Sequence, residues 1–325
     1  MTVRPLIRLG ARRSELARAQ ARWVAERLGE LGARTAFVGI TTSGDTDRRH
    51  LTTIGGTGVF ATAVRDRLSA GEIDVAVHSL KDLPVAPASG LEIAAVPIRE
   101  DVRDVLVGVA PEELSDGMRI GTGSPRRTVQ LAHWARARGL ELRIEPVRGN
   151  VGTRIDKVRA GEFDAVILAA AGLRRLGLLA GLAAYPLDVS LMLPAAGQAA
   201  LACEIAADAD PDVRAALCAL DHLPTRLEVT AERAFLATLG AGCLAPVGVH
   251  AHATDGLDLT MRAVAGQMIP RTSPMPAATP LDVVEGSSPS GGPEAGESAV
   301  LRARALGDRL ARDMLLGRPT DRPDA

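Results

Sequence analysis

The feature that most constrains the fold is a phrase the chain uses twice, LSAGEIDVAVHS at 68–79 and VRAGEFDAVILA at 158–169. Each copy ends a helical pattern, turns at Ala-Gly-Glu and enters a short apolar strand. A second pair accompanies it: IRLGARRSELARAQ at 7–20 parallels RIGTGSPRRTVQLA at 119–132. In both, a strand meets glycine and small residues, then an arginine pair, then a helix. The alternation of strand and helix through the first 200 residues is the rhythm of a mostly parallel sheet, and the repeats divide it into two similar α/β units. The offsets of the two matches differ, so the architecture is duplicated more closely than the sequence.

Composition narrows the functions open to such a chain. Of 325 residues, 46% are hydrophobic and 24% charged, enough for two or three domains with real cores. Aromatic residues are 2% and the net charge is −1, which excludes a base-stacking platform or a broad basic face for nucleic acid. No apolar run approaches the ~20 residues that span a bilayer, and MTVRPLIRLGARRS has no signal-peptide core; a cytoplasmic protein without a membrane partner is the expectation. Cys203, Cys218 and Cys243 form no CxxC pair, so neither a disulfide framework nor a metal knuckle is expected, and no metal site is assigned. Cys203 and Cys218 read as small buried hydrophobes.

The first α/β unit is expected over 1–98, with the chain returning to it at 198–218, and the second over 102–194. From about Asp221 a helix containing TAERAFL is followed by GAGCLAPVGVHAHA and LDLTMRAVAG, which alternate apolar and polar as an antiparallel sheet with one wet face does. A third, smaller α+β domain is therefore expected over 222–325. Within it, 270–298 is rich in Pro, Ser and Gly and is expected to be a disordered loop.

Candidate chemistry gathers where strands end. HSLKDLP at 78–84 puts Lys81 and Asp82 in a turn after an apolar strand, and Lys81 is one of only two lysines among 38 basic residues. Both repeats place arginines and hydroxyls at a helix start: Arg12, Arg13 and Ser14 in the first, Thr122, Ser124, Arg126 and Arg127 in the second. Cations there oppose the helix dipole unless an anion lies between them. VRGNVGTR adds Arg148 and Arg154, and AGLRRLG adds Arg174 and Arg175. Together they predict a cleft for a ligand with several carboxylates or phosphates, which the guanidinium fork binds bidentately. Cys243 sits among small residues in LGAGCLAP, open to approach, with no His or Asp placed as a protease or acyltransferase requires.

HSLKDLP, GTGSPRR, RGNVGTR, AGLRRLG, TAERAFL and the GAGC turn, in this order and spacing, resemble the porphobilinogen deaminase (hydroxymethylbilane synthase) family from about residue 6 to 250. The resemblance implies two doubly wound domains like those of periplasmic binding proteins plus the α+β domain. It implies a transferase of tetrapyrrole biosynthesis that joins four porphobilinogen molecules head to tail with loss of ammonia, giving hydroxymethylbilane. It also implies a dipyrromethane cofactor bound by thioether to Cys243, and a monomer. By the same resemblance Asp82, with Lys81, meets the cationic azafulvene formed from substrate. Lys81, Asp82, Ser14, Thr122, Ser124, Arg126, Arg127, Arg148 and Gly197 contact the cofactor. Arg12, Ser14, Arg148, Arg154, Arg175 and Gln198 contact substrate.

The chain departs from the family pattern in two places. Thr57, and in some members Thr53, stands where a lysine is usual in the glycine-rich loop before Phe60, and Ala199 ends a segment usually GQG. The alternatives to a working deaminase are an anion-binding module of the same architecture, as in a solute receptor, and a family member inactive through its altered loop.

Overall fold

The computed structural model describes residues 6–41, 59–242, 245–266, 281–288 and 296–317. Two five-stranded sheets dominate it. The first contains β1 (Leu6–Arg12), β2 (Arg34–Ile40), β3 (Val75–Ser79), β4 (Leu91–Ala95) and β10 (Leu201–Ala206), in the order β2-β1-β3-β10-β4. The second contains β5 (Asp104–Val107), β6 (Arg119–Gly121), β7 (Arg143–Glu145), β8 (Ala165–Ala169) and β9 (Ala184–Pro186), in the order β7-β6-β8-β5-β9. The orders are the same once matched strand for strand. In each sheet three strands run parallel and the fourth is antiparallel to both neighbours: β10 between β3 and β4, and β5 between β8 and β9. The sheets are thus mixed rather than mostly parallel, because β10 and β5 each enter straight from a crossing between the halves with no helix to turn them around.

The repeated phrases are explained by what they touch. Asp74 accepts the backbone N–H of Arg8 at 2.7 Å, and its repeat mate Asp164 accepts that of Arg119 at 2.6 Å, each carboxylate fixing the register of the central strand pair. Gly10 lies so close to Ile73 that a Cβ would stand 2.3 Å from its side chain, and Gly121 approaches Val166 and Phe163 at 2.9 and 3.0 Å in the same way. Ile73 and Phe163 occupy equivalent places in the repeat, so both halves need a glycine where the strand passes under the bulky residue.

Helix α1 (Glu15–Glu30) packs Ala21, Val24 and Leu28 on the β1 and β3 face, against Ile7, Leu9, Val75 and Val77. Helix α2 (Val59–Ser69) covers the other face. In the second half α3 (Pro125–Arg136), α4 (Val151–Arg159) and the short α5 (Ala170–Arg175) play corresponding parts. After α6 (Pro211–Leu220), a separate core forms between α7 (Leu223–Thr238), α8 (Glu297–Leu315) and an antiparallel sheet β11-β12-β13 (Val247–Ala253, Leu259–Ala265, Asp282–Ser288). The two helices close tightly at Gly307, whose absent Cβ would lie 2.1 Å from the Ala231 carbonyl oxygen.

Two expectations need correction. The segment 270–298 contains the strand β13, which pairs along its whole length with β12 and buries Val284 against the helices. A few apolar residues among glycine and serine suffice there because β12 pairs the strand along one whole edge and Val284 anchors it in the core. Residues 270–280 and 289–295 of that segment lie outside the described residues. Cys218 is exposed, not buried, since α6 turns Val213 and Leu217 inward and Cys218 falls just off that face, whereas Cys203 is buried in β10. Among the described residues no helix is long and apolar enough to cross a membrane.

Candidate functional site

The antiparallel strands bring a carboxylate into each half. Asp104, the first residue of β5, is fully buried and accepts Arg126 at 2.7 Å on one oxygen and Arg127 at 2.7 Å on the other. Burial alone would raise its pKa, but the two guanidiniums overcome that and hold it well below the usual carboxylate range. Both arginines leave α3 at its first turn, and both are themselves buried. Arg126 also donates to the Leu193 carbonyl and Arg127 to that of Ile167. The Nε of each is buried without a hydrogen-bond partner among the described residues. In the first half Glu204 of β10 is gripped through both oxygens by Arg65 of α2, at 2.9 and 2.7 Å.

Gln198 links the halves. It lies in the second crossing, fully buried, between Gly197 at φ +69° and Ala199 at φ +72°. Its amide donates to the Val102 carbonyl at 2.8 Å and to Asp104 at 2.9 Å, and its oxygen accepts Nζ of Lys81 at 3.3 Å. With both amide hydrogens donated within the protein, Gln198 spaces Lys81 from Asp104, and it is among the residues that line the larger cleft. Arg99 of the first crossing donates to the Gln198 carbonyl and makes a bidentate pair with Glu232 of α7, at 2.9 and 3.0 Å. Glu232 also accepts the backbone N–H groups of Gly197 and Ala251. One buried carboxylate thus ties both crossings to the third sheet. Gly197 admits no side chain, since a Cβ would meet Leu80 at 2.9 Å.

Lys81 and Asp82 lie in a 3-10 turn, Leu80–Asp82, directly after β3. The ammonium end of Lys81 is enclosed although its stem keeps some exposure. Burial lowers its pKa to about 8, with Arg127 and Arg126 repelling it while Asp82 and Asp104 oppose the change. Asp82 is exposed and faces two cavities. The larger, an open cleft of about 370 Å³, has Lys81, Ser124, Arg126, Arg127 and Arg233 in its wall, with Gly242 and Ala245 among the lining residues. The smaller, about 80 Å³, is lined by Arg12, Ser14, Gln20, His78 and Ser79. Asp82 is common to both.

The remaining expected residues divide. Ser14 spends its hydroxyl on the N–H of Ala17 as the cap of α1, at 3.3 Å, while lining the smaller cavity. Thr122 is buried and accepts the Ser124 N–H at 3.2 Å, so it shapes the turn rather than the cleft surface. Ser124 makes no side-chain cap bond and lines the larger cleft. Arg148 is exposed in a separate surface pocket with Arg119 and Lys157. Arg154 donates to the Gly149 carbonyl; burial and the nearby charges of Arg127 and Arg148 lower its pKa to about 10. Arg175 donates to the Ala199 carbonyl at 2.6 Å and is likewise lowered to about 10 by burial. Arg174 pairs with Glu100 and Asp101. Cys243, Thr53 and Thr57 lie outside the described residues.

Sequence reasoning missed Asp104, Glu204, Arg65, Arg99 and Glu232. The available signal was an acid inside an otherwise apolar strand, DVLV and LACEIA, a place where unpaired charge is not tolerated.

The residues present fit a polyanionic pyrrole cofactor. Two buried guanidinium Nε atoms, on arginines in the cleft wall, lack acceptors among the described residues, and the residues flanking Cys243 and Leu244 line the same cleft. Two matched α/β sheets joined by two crossings, with an arginine-walled cleft beside them, define a two-domain α/β architecture built around that cleft. Residues 7–214 match the family model "Porphobilinogen deaminase, dipyromethane cofactor binding domain", and 226–268 the C-terminal domain of the same enzyme. The chain belongs to the porphobilinogen deaminase family. It is 49% identical over 317 residues to porphobilinogen deaminase 1 of Streptomyces coelicolor, covering 95% of this chain and 94% of that protein. To the porphobilinogen deaminase of Thermobifida fusca it is 47% identical over 317 residues, covering 95% and 92%. A solved periplasmic substrate-binding protein of Coxiella burnetii is similar at TM-score 0.41 and 14% identity over 70% of this chain and 96% of that one; the fold description rests on the strand orders.

Proposed function

We propose that the chain is a transferase that condenses four porphobilinogen molecules head to tail, with loss of ammonia, to hydroxymethylbilane. The observation that carries this reading at the level of the site is the position of Asp82, exposed in the wall shared by the two cavities. A carboxylate there serves donor and acceptor rings at once. Porphobilinogen bears an acetate and a propionate, so Arg12 and Ser14 in the smaller cavity orient the incoming molecule, and Ser124, Arg126, Arg127 and Lys81 in the larger hold the bound chain. As ammonia departs, the substrate becomes cationic. At about 4 Å and an effective dielectric near 20, Asp82 attracts that charge by roughly 4 kcal/mol, about a thousandfold in rate if felt mainly in the transition state.

A dipyrromethane joined to Cys243 by a thioether supplies the first pyrrole carbon to which substrate is added. Arg126, Arg127 and Ser124, in the wall of the larger cleft, would hold its carboxylates. The protein acts as a cytoplasmic monomer in this reading. The receptor alternative is not favoured, since the curated relatives matched over nearly their whole length are named deaminases.

Intact-mass measurement tests the reading. The purified chain carries one dipyrromethane above its sequence mass and releases ammonia from porphobilinogen, while Cys243→Ser carries nothing and is inactive. An unmodified native chain that binds anions without turnover overturns it.

A further inference from the structure

The motif HSLKDLP opens on a histidine that the reaction as described does not use. His78 is the fourth residue of β3, 8% exposed, and its ring lines the smaller cavity with Arg12, Ser14, Gln20 and Asp82. Its Nε2 lies 3.4 Å from Oε2 of Glu204 across the β3–β10 pair, too far for a well-formed hydrogen bond, and has no other partner. Glu204 cannot turn away, because Arg65 holds both its oxygens, and it is 2% exposed. The charged groups around the ring are therefore Glu204 from β10, Arg65 from α2, Arg12 from β1 and Asp82 from the turn. A buried histidine packed only for its volume needs no fixed carboxylate behind it and no cavity in front. Carboxylate, imidazole and open site in sequence form the arrangement that makes an imidazole a useful base.

The chemistry leaves one proton unassigned. Ammonia leaves with the electron pair of the carbon–nitrogen bond, and the acceptor ring carbon supplies the pair for the new carbon–carbon bond. The hydrogen on that carbon must then go, its bonding pair returning to the ring. We propose that His78 is the base that accepts this proton, on the ring nitrogen away from Glu204, from the terminal ring of the bound chain where it passes Asp82 into the smaller cavity, with Glu204 orienting the imidazole and balancing its charge. The imidazolium then gives the proton to the released ammonia, which leaves as ammonium. Asp82 keeps its role beside the cation and need not serve as base.

The inference rests on the deaminase reading, so wild-type turnover is measured first; if the wild type releases no ammonia from porphobilinogen, that reading falls, whatever the variants do. Given an active wild type, His78→Gln, His78→Ala and Glu204→Gln are compared, with rates referred to the fraction of chains carrying the added mass and folding checked by thermal melting. Porphobilinogen deuterated at its unsubstituted ring carbon is the probe. The expected result for His78→Gln is a kcat lower by about a hundredfold, little change in KM, and a deuterium effect larger than in the wild type. Added imidazole restores part of the rate to His78→Ala but not to Glu204→Gln. Near-normal turnover per loaded chain in His78→Gln overturns the proposal, and so does a slow variant with an unchanged deuterium effect and no response to imidazole, which marks a packing role.

Discussion

Ser14 and Ser124 begin equivalent helices in the two halves, and the structure uses them differently. Ser14 caps α1, and the neighbouring Arg13 is exposed, its side chain donating to the Gly39 carbonyl. Ser124 leaves its helix without a side-chain cap, and the two arginines that follow it turn inward onto Asp104. The same ingredients therefore make an open binding edge in the first half and a fixed, internally charged wall in the second. The difference traces to the strand that crosses over. Asp104 begins β5 beside the start of α3, whereas the acid on β10, Glu204, lies deeper along its strand and is taken by Arg65 and faced by His78. The fixed wall suits a ligand that stays, the open edge one that arrives and moves on.

Asp104→Asn is the strongest way to break this comparison. It leaves two buried guanidiniums without their anion and costs about 3–5 kcal/mol of unfolding free energy in urea titration; a loss below about 1 kcal/mol would show that the wall does not depend on the charge. The wild-type acid response carries the same information. Asp104 has a folded-state pKa below its unfolded value of about 4, so its stabilisation is present above that pH and lost as pH falls. Glu204, lowered to about 2 against the opposing effect of burial by His78 and Arg65, loses its share between about 4.3 and 2. Asp104→Asn flattens the acid side of the stability curve.

Arg154→Gln sharpens the comparison at smaller scale. Its charge is crowded by Arg127 and Arg148, so in a chain kept empty by Cys243→Ser the substitution raises stability by about 1 kcal/mol, read as a higher Tm. In the loaded chain the sign reverses, because a charge-assisted contact of about 1.5–3 kcal/mol is lost. Equal shifts in both chains would mean that the arginine serves the fold alone. The smallest effect concerns the serines. Ser14→Ala lowers stability by about 1 kcal/mol as a lost cap, while Ser124→Ala leaves urea unfolding of the empty chain within about 0.5 kcal/mol of its parent.

Much of this was legible in the chain. The doubled AGE(I/F)D phrase announced two equal halves because its aspartate, its glycine contact and its apolar strand each answer a local requirement that recurs. The turn with Lys81 and Asp82, and the arginine pairs, stood out because charge at a strand end has few purely structural uses. Hidden were the partners. Asp104 meets Arg126 only when a strand far from α3 in sequence is laid antiparallel beside β8. Gln198 reads as a polar residue near a site until both its neighbours are seen in left-handed conformations that aim it inward. Local pattern carries no information about which acid a crossing strand delivers to which arginine.

The crossing of strands also sets the order in which the molecule can be assembled. All five strands of the second sheet are contained in residues 104–186, so that half is complete in the nascent chain as soon as Pro186 is made. The first sheet is not. β4 reaches its sheet only through β10, so it and the open edge of β3 stay unmatched until synthesis has passed Ala206. For that interval the growing chain presents two apolar strands with unsatisfied edges, the form in which a strand recruits a wrong neighbour most readily. Of the two halves, the one that holds the smaller cavity is the last to close, and its exposure during synthesis is the cost of sharing one strand across the crossing.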